Sequence, residues 1–425
     1  MDALTLVGIA LFAVGILLSI SLHEAGHLGA AKAFGMKATR YFIGFGPTLW
    51  SFKRGETEYG IKAAPLGGFV KIIGMTPQDD DTTPEDEHRA MWRFPVWKRT
   101  VVMAAGSVVH FVLGFLILWG VFSFAPLNDY DRLDTAPPTV AGVAECVNLD
   151  WEIDPRTGQE VPCVPGRDPA SAAAQIGLRP GDTITAFAGQ PVTEWGDLTE
   201  RIRAAGGTTA TLTWERDGRT HSAEVTLPTA QRVRQDIDPN TPVTEVTEAD
   251  LEEVGVLGIT PVIPRTVNGP IAGIGEAASQ TAYMFEGTVS ALARLPERVP
   301  MLVEAIFGGE RDPESPVSVV GASVIGGELF ARGEIPTFLV LLAALNFFVG
   351  VFNLLPLLPL DGGHIAIAWF EKARSWLYAR LGRPDPGRVD YYKMMPLTYV
   401  VIFIMAGFFL LTITADIVNP IRLPF

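Results

Sequence analysis

The chain has 425 residues, of which 48% are hydrophobic and only 19% charged. That balance is unusual for a soluble protein and directs attention to long uncharged runs, and the length leaves room for more than one domain. The formal net charge is −14, and no nucleic-acid partner is expected.

The first run, Ala3 to Leu22, carries no charge and no proline. It reaches the roughly 20 residues that a helix needs to cross a hydrocarbon core. It lacks a basic start and its apolar stretch is too long for a cleaved signal peptide, so a retained helix is expected. At its end stands His23-Glu24-Ala25-Gly26-His27. Positions i and i+4 share one helix face, so both imidazoles can reach one cation. Glu24 stands beside them, where it can hold the attacking water. Ionisable side chains in or beside a bilayer are costly and mark functional sites; a helix-end cluster that merely reaches the interface is the plainer alternative.

Thr48 to Phe52 and Glu58 to Ala63 read as strands around the turn Lys53 to Thr57. Gly44, Gly46, Pro47, Gly67 and Gly68 punctuate the flanks, as backbone that bends tightly or approaches another chain requires. A hairpin folded against the helices is expected, since such backbone is tolerated at membrane depth only where protein or a watery cavity satisfies it. The acidic run Asp79 to Glu87 reads as a solvated, mobile tip. Val101 to Leu127 is the second apolar run, interrupted only by His110, for which a core or interhelical hydrogen bond is expected.

Residues 128–265 read as a small inserted α+β domain. Ser171 to Gly177 is a short helix, Thr183 to Phe187 a strand, and Asp197 to Ala205 a helix with Leu198 and Ile202 four apart. Thr208 to Arg216 and Thr220 to Leu227 are strands joined by the hairpin turn Asp217-Gly218. With the run Gly177-Leu-Arg-Pro-Gly-Asp182, this pattern resembles a PDZ domain of the bacterial protease-associated type, a fold that binds extended peptides at a sheet edge. The plainer alternative is a spacer without a ligand. Residues 228–250, with Pro239 and Pro242, read as a long loop, and Val256 to Val262 as a closing strand. Cys146 and Cys163 are the two cysteines; an oxidising compartment permits a disulfide between them, though spacing alone does not establish it. Residues 266–334, broken at Gly308-Gly309, Pro313 and Pro316, read as amphipathic linker helices on the outer membrane surface.

Ile335 to Leu360 and Met394 to Ala415 complete a set of four apolar runs. Lys and Arg set the orientation. Eleven lie from Lys32 to Arg99 and six from Lys372 to Lys393, so both stretches are expected on the cytoplasmic side. Both termini and the inserted domain are then outside. The expected fold is a polytopic α-helical membrane protein with four transmembrane helices. Residues 1–127 hold the first two and the membrane-associated hairpin, and 335–425 the last two.

A catalytic zinc takes three protein ligands and leaves a position open, so two histidines call for a third group. His88 and His221 fall in the acidic loop and the inserted domain. Asp361 is the best candidate. It follows Asn353-Leu-Leu-Pro-Leu-Leu-Pro-Leu360, where Pro356 and Pro359 break the helix, and lies at the same membrane face as the histidine motif. His364, one turn on, is an outside candidate.

Together His23-Glu-Ala-Gly-His27 and Asn353-x-x-Pro-x-x-Pro-x-Asp361-Gly resemble the site-2 protease family of intramembrane zinc metalloproteases. The runs Gly44-Phe-Gly46-Pro47 and Pro65-Leu-Gly-Gly-Phe-Val-Lys-Ile72 look like that family, and the part from Ser315 onward resembles actinobacterial members. The resemblance implies Zn2+ held by His23, His27 and Asp361, Glu24 as acid/base, and Asn353, Gly67 and Gly68 in substrate binding. It implies single-span membrane substrates such as anti-sigma factors, cut near the cytoplasmic face of the plasma membrane. One departure is that a single PDZ-like unit is visible where some members have two. An inactive scaffold recruiting partners through that unit is the alternative, but inactive relatives would lose Glu24 or a ligand. A metal transporter would need polar groups through the full bilayer depth.

Overall fold

The computed structural model describes residues 2–75, 82–153, 160–237, 246–309, 311 and 315–421. Asp79 to Asp81 of the acidic run, Pro239, Pro242 and Pro313 lie outside these. The chain divides into two compact units: Met1–Ala125 with Asn268–Phe425, and Pro126–Val267.

Helices build the first unit: α1 (Ala3–Ala33), α2 (Val96–Phe124), α5 (Gly269–Ile306), α6 (Val319–Ala331), α7 (Ile335–Asn353), α8 (Asp361–Arg380) and α9 (Tyr391–Val418). Among the described residues, α1, α2, α7 and α9 are long and apolar enough to cross a membrane. Local chemistry sets their starts. Asp2 Oδ1 accepts from the Thr5 N–H at 2.7 Å and caps α1, and Ser318 caps α6 through the Gly321 N–H. The surfaces left over are greasy. Phe403 and Ile404 on α9 are 76% and 67% exposed, a pattern that water disfavours and lipid accepts.

Without a hydrophobic drive between helices in lipid, small residues decide where they meet. A Cβ on Gly8 of α1 would lie 2.8 Å from the Gly327 Cα of α6, so the two backbones touch. Gly350 of α7 likewise makes room for Phe111 of α2. The stretch expected as linker helices is helical over Gly269–Ile306 and Val319–Ala331. Residues 269–306 are one long helix with Pro296 and Pro300 inside it, and α6 is packed on α1 around Phe12, Ala322, Leu329 and Phe338. Its small residues allow close packing on α1.

Strands β1 (Ala38–Arg54) and β2 (Thr57–Ile72) also belong to this unit. They are longer than the sequence implied, and they bend. Thr48 to Arg54 pairs with Lys62 to Thr57, while Arg40 to Ile43 pairs with both Glu58 to Ile61 and Lys71 to Gly68. Two strands thus make four rungs, with Gly68 to Lys71 along one outer edge. Gly44 (φ +88°) and Gly67 (φ +145°) supply the left-handed backbone of the bends. The described end of the acidic run is tied down, since Lys37 pairs with Asp86 and Arg93 with Glu87.

The second unit holds the short strands β3 (Leu127–Asn128) and β4 (Val140–Val143), helix α3 (Ala172–Gln175), strands β5 (Thr183–Phe187) and β6 (Gln190–Pro191) and helix α4 (Trp195–Ala204). Strands β7 (Thr209–Arg216), β8 (Arg219–Thr226), β9 (Thr229–Val233), β10 (Leu251–Gly255), β11 (Ile259–Pro261) and β12 (Arg265–Thr266) follow. A four-stranded sheet runs β6-β5-β7-β8, and β4 pairs with β11. Asp217 and Gly218 both have positive φ, the two-residue turn that matches strand twist. The loop expected over 228–250 is partly a strand, because β9 pairs with β10. The closing strand is shorter than expected. Cys146 and Cys163 are disulfide-bonded with a Cα–Cα distance of 5.9 Å.

Ile184, Leu198, Leu212 and Leu227, all fully buried, centre this unit's core. Asp182 closes it. The carboxylate, 1% exposed, accepts from Arg216 Nε and Nη2 at 2.7 Å each and from the Arg179 N–H at 2.8 Å. Burial opposes its ionisation, yet these donors hold its carboxyl below the usual aspartate value. Its stabilisation is therefore present above the ordinary pKa of 3.8 and is lost as pH falls below that value. Asp182→Ala should destabilise this unit by about 1–3 kcal/mol, since it removes the acceptor of the Arg179 N–H and of the partly exposed Arg216. Thermal unfolding of the full chain at pH 7 and pH 3, followed at Trp214 in the same core, checks this. The variant deficit should shrink at the lower pH.

Candidate metal centre

His23 and His27 lie one helical turn apart on the buried face of α1, 6% and 4% exposed. Two glycines bring α2 against that face. A Cβ on Gly26 would stand 2.7 Å from the Ala105 carbonyl oxygen, and one on Gly106 would stand 2.4 Å from His23 Cε1 and 2.5 Å from His27 Nε2. Asp361 arrives from the first turn of α8. The turn before it folds back so closely that a Cβ on Gly362 would lie 2.2 Å from the Leu354 carbonyl, so the glycine pair after Asp361 is a steric requirement.

The three ligand atoms form a nearly equilateral triangle. Nε2 of His23 and of His27 are 3.1 Å apart, and Asp361 Oδ2 lies 3.4 Å from the first and 3.3 Å from the second. A tetrahedral zinc with bonds of about 2.0–2.1 Å has ligand–ligand edges of about 3.3 Å. The protonation pattern agrees. His27 Nδ1 lies 2.7 Å from the Val102 carbonyl, which only accepts, so that nitrogen carries the proton and Nε2 turns a lone pair inward. Electron-pair donors converging on one point repel each other unless a cation lies between them.

Glu24 is next to this face, and its Cγ is 3.1 Å from where a Gly68 Cβ would stand. The outer rung of the β1–β2 sheet therefore runs beside its carboxylate. Gly67 makes room for the Phe45 ring. Asn353 is the last residue of α7, partly exposed. Cys146 and Cys163 lie in the other unit. His364 is not part of the ligand cluster, which among the described residues is His23, His27 and Asp361; its ring stacks on Tyr391 at 5.9 Å. His88 bonds to the Glu85 carbonyl and His221 stacks on Trp214, both apart from the cluster.

Sequence reasoning missed the supports. His110 has the interhelical bond expected of it, at 2.8 Å to Asn346 Oδ1, but its ring also lies 5.0 Å from that of His23. Arg99 Nη1, near the start of α2, meets Glu371 Oε2 of α8 at 3.3 Å in a largely buried pair, which ties the helix bearing Asp361 to the helix facing the histidines. A glycine, an asparagine and a glutamate inside apolar or helical runs were the available signals. Gly106→Ala should lower metal affinity about tenfold or more, because the new methyl displaces both imidazoles. Metal content of the purified protein after dialysis against a chelator reads this, and wild-type retention would contradict it.

Residues 11–381 match the family model described as peptidase family M50. The chain is 41% identical over 423 residues to the zinc metalloprotease Rip1 of Mycolicibacterium smegmatis, covering 98% of each chain. It is 40% identical over 416 residues to Rip1 of Mycobacterium tuberculosis H37Rv, again at 98% of each. To the regulator of sigma-E protease RseP of Escherichia coli K12 it is 27% identical over 443 aligned positions, 86% of this chain and 91% of that one. With the matched region running across the histidine motif and Asp361, the chain belongs to peptidase family M50, the site-2 protease family, and is a membrane zinc metalloprotease of the actinobacterial type.

Proposed function

We propose that this protease hydrolyses peptide bonds in or near the transmembrane segments of single-span membrane proteins, in regulated intramembrane proteolysis. The observation that carries the reading is the convergence of His23, His27 and Asp361 beside Glu24, at the end of an apolar helix. In this reading those three residues hold zinc and Glu24 is the acid/base. Zinc, when bound, supplies Lewis acidity that polarises the scissile carbonyl and makes water nucleophilic at neutral pH. Glu24 takes the proton of the attacking water and returns it to the leaving amine. All four residues are present, which leaves the scaffold reading without support.

A substrate helix hides its carbonyls in its own hydrogen bonds and must unwind before attack. The outer rung Gly68 to Lys71, beside Glu24, offers an edge on which an unwound segment gains strand bonds for the helical bonds it loses. Gly67 and Gly68 keep that edge open, and Asn353 helps to position the substrate. The distribution of Lys and Arg supports a cytoplasmic sheet and active site, with both termini and the 128–265 unit outside. The sheet and helices of that unit, with the disulfide Cys146–Cys163, support a PDZ-like domain in an oxidising compartment that screens substrates. The name of the sigma-E regulator protease supports anti-sigma factors as the substrate class.

Purified protein with a model single-span substrate tests this. Glu24→Gln should keep zinc and lower cleavage by about 100-fold or more, while Asp361→Ala should lose much of both. Wild-type cleavage by Glu24→Gln would remove the catalytic assignment. Separately, Val70→Pro on the outer rung should cut cleavage about tenfold or more with zinc retained, because it removes an edge N–H together with the bond that the Val70 backbone makes to Glu24. Undiminished cleavage would show that substrate does not pair there.

A further inference from the structure

His27 and His23 are supported unequally. A metal-bound imidazole usually donates its second ring N–H to an acceptor, which fixes tautomer and ring plane. His27 does so through the Val102 carbonyl at 2.7 Å. His23 Nδ1 is buried without a hydrogen-bond partner among the described residues, an arrangement that needs an explanation. The Nδ1 side of the ring faces α2, since a Cβ on Gly106 would lie 2.6 Å from that nitrogen. One turn further along the same helix face stands His110, 2% exposed, its ring centroid 5.0 Å from that of His23 and tilted by 44°.

His110 is itself locked. Asn346, 1% exposed, donates from Nδ2 to the Leu342 carbonyl at 2.8 Å, which settles the orientation of its amide. Its Oδ1 must then accept from His110 Nδ1, 2.8 Å away. The proton of His110 is therefore on Nδ1, and Nε2 keeps a lone pair on the ring that abuts His23. A chain of fixed orientations runs from the α7 backbone through Asn346 to His110, and it ends on the ligand that lacks a partner.

We propose that His110, held by Asn346, is the positioning residue for His23: its ring is the wall against which this imidazole is set, and its free lone pair is the acceptor that His23 Nδ1, unbonded in this structure, takes up when the metal is held. Zinc affinity is then set in part from α7, although α7 contributes no ligand.

The inference rests on His23 being a zinc ligand, and the experiment separates the two. Zinc affinity is measured by chelator competition on the detergent-purified full chain, together with the visible spectrum of the cobalt-substituted protein. His110→Leu should weaken zinc binding about 10–100-fold and shift the cobalt bands. His110→Gln, which restores an acceptor, should recover part of that loss. Asn346→Ala, which leaves His110 in place but unlocked, should fall between wild type and His110→Leu, and reads the same support if His110→Leu fails to fold. Wild-type affinity in both His110→Leu and Asn346→Ala, with His23→Ala losing zinc, would overturn the inference and leave the ligand set standing. Wild-type affinity in His23→Ala would overturn the ligand assignment itself. No recovery in His110→Gln would also overturn it, by reducing His110 to bulk.

Discussion

The structure depends on how closely α1 and α2 approach each other at Gly26 and Gly106. A side chain at either position would meet backbone or an imidazole ring at well under contact distance. Because nothing projects from α2 there, His23 and His27 can pack close against it, edge to face with each other and sealed from solvent, with their inner nitrogens 3.1 Å apart. The Val102 carbonyl is then close enough to hold one ring and His110 to abut the other. Apolar attraction does not draw helices together in lipid, so the absence of a side chain is what allows the approach.

Asp361, the third proposed ligand, is delivered by a different device. Asp361 opens α8 after a proline-broken turn that folds over the helix start, and Gly362 and Gly363 leave space for that turn's carbonyls. A carboxylate at a helix start faces the positive end of the helix dipole. It is also held at the correct height, since α8 is strapped to α2 by Arg99 and Glu371. Two charged groups taken from water are costly unless paired, and here the pair fixes the helix that carries the ligand to the helix that backs the histidines. The β1–β2 sheet completes the site from the remaining side by placing Gly68 against Glu24.

Much of this was legible in the sequence where chemistry is local. The i, i+4 histidines declare a shared face, and the proline-broken run before Asp361 declares a helix start at that membrane face. The strands around Asp217-Gly218 follow from alternation and a two-residue turn. What was not legible depends on long-range contact. Residues 266–334 have the composition of interfacial helices, but Gly326 and Gly327 pack against α1, and small residues carry no periodic signal of their partner. The bends that turn two strands into four rungs came from glycines whose φ the sequence does not specify. β9 reads as loop from sequence because its partner β10 lies beyond an acidic, proline-containing stretch. The interhelical bond expected of His110 has a partner, Asn346, that lies far away in the chain, and nothing local in the sequence names that partner or the neighbouring His23.

In the proposed assignment two imidazoles and one carboxylate, from α1 and α8, hold the zinc of this protease. X-ray absorption at the zinc edge of the purified, zinc-loaded protein tests it most directly. The expected spectrum shows two imidazole nitrogens in a shell of light atoms at about 2.0–2.1 Å, with no sulfur, and one fewer imidazole in His27→Ala. A third imidazole in the wild-type spectrum, from His110 or His364, or an unchanged imidazole count in His27→Ala, would contradict it.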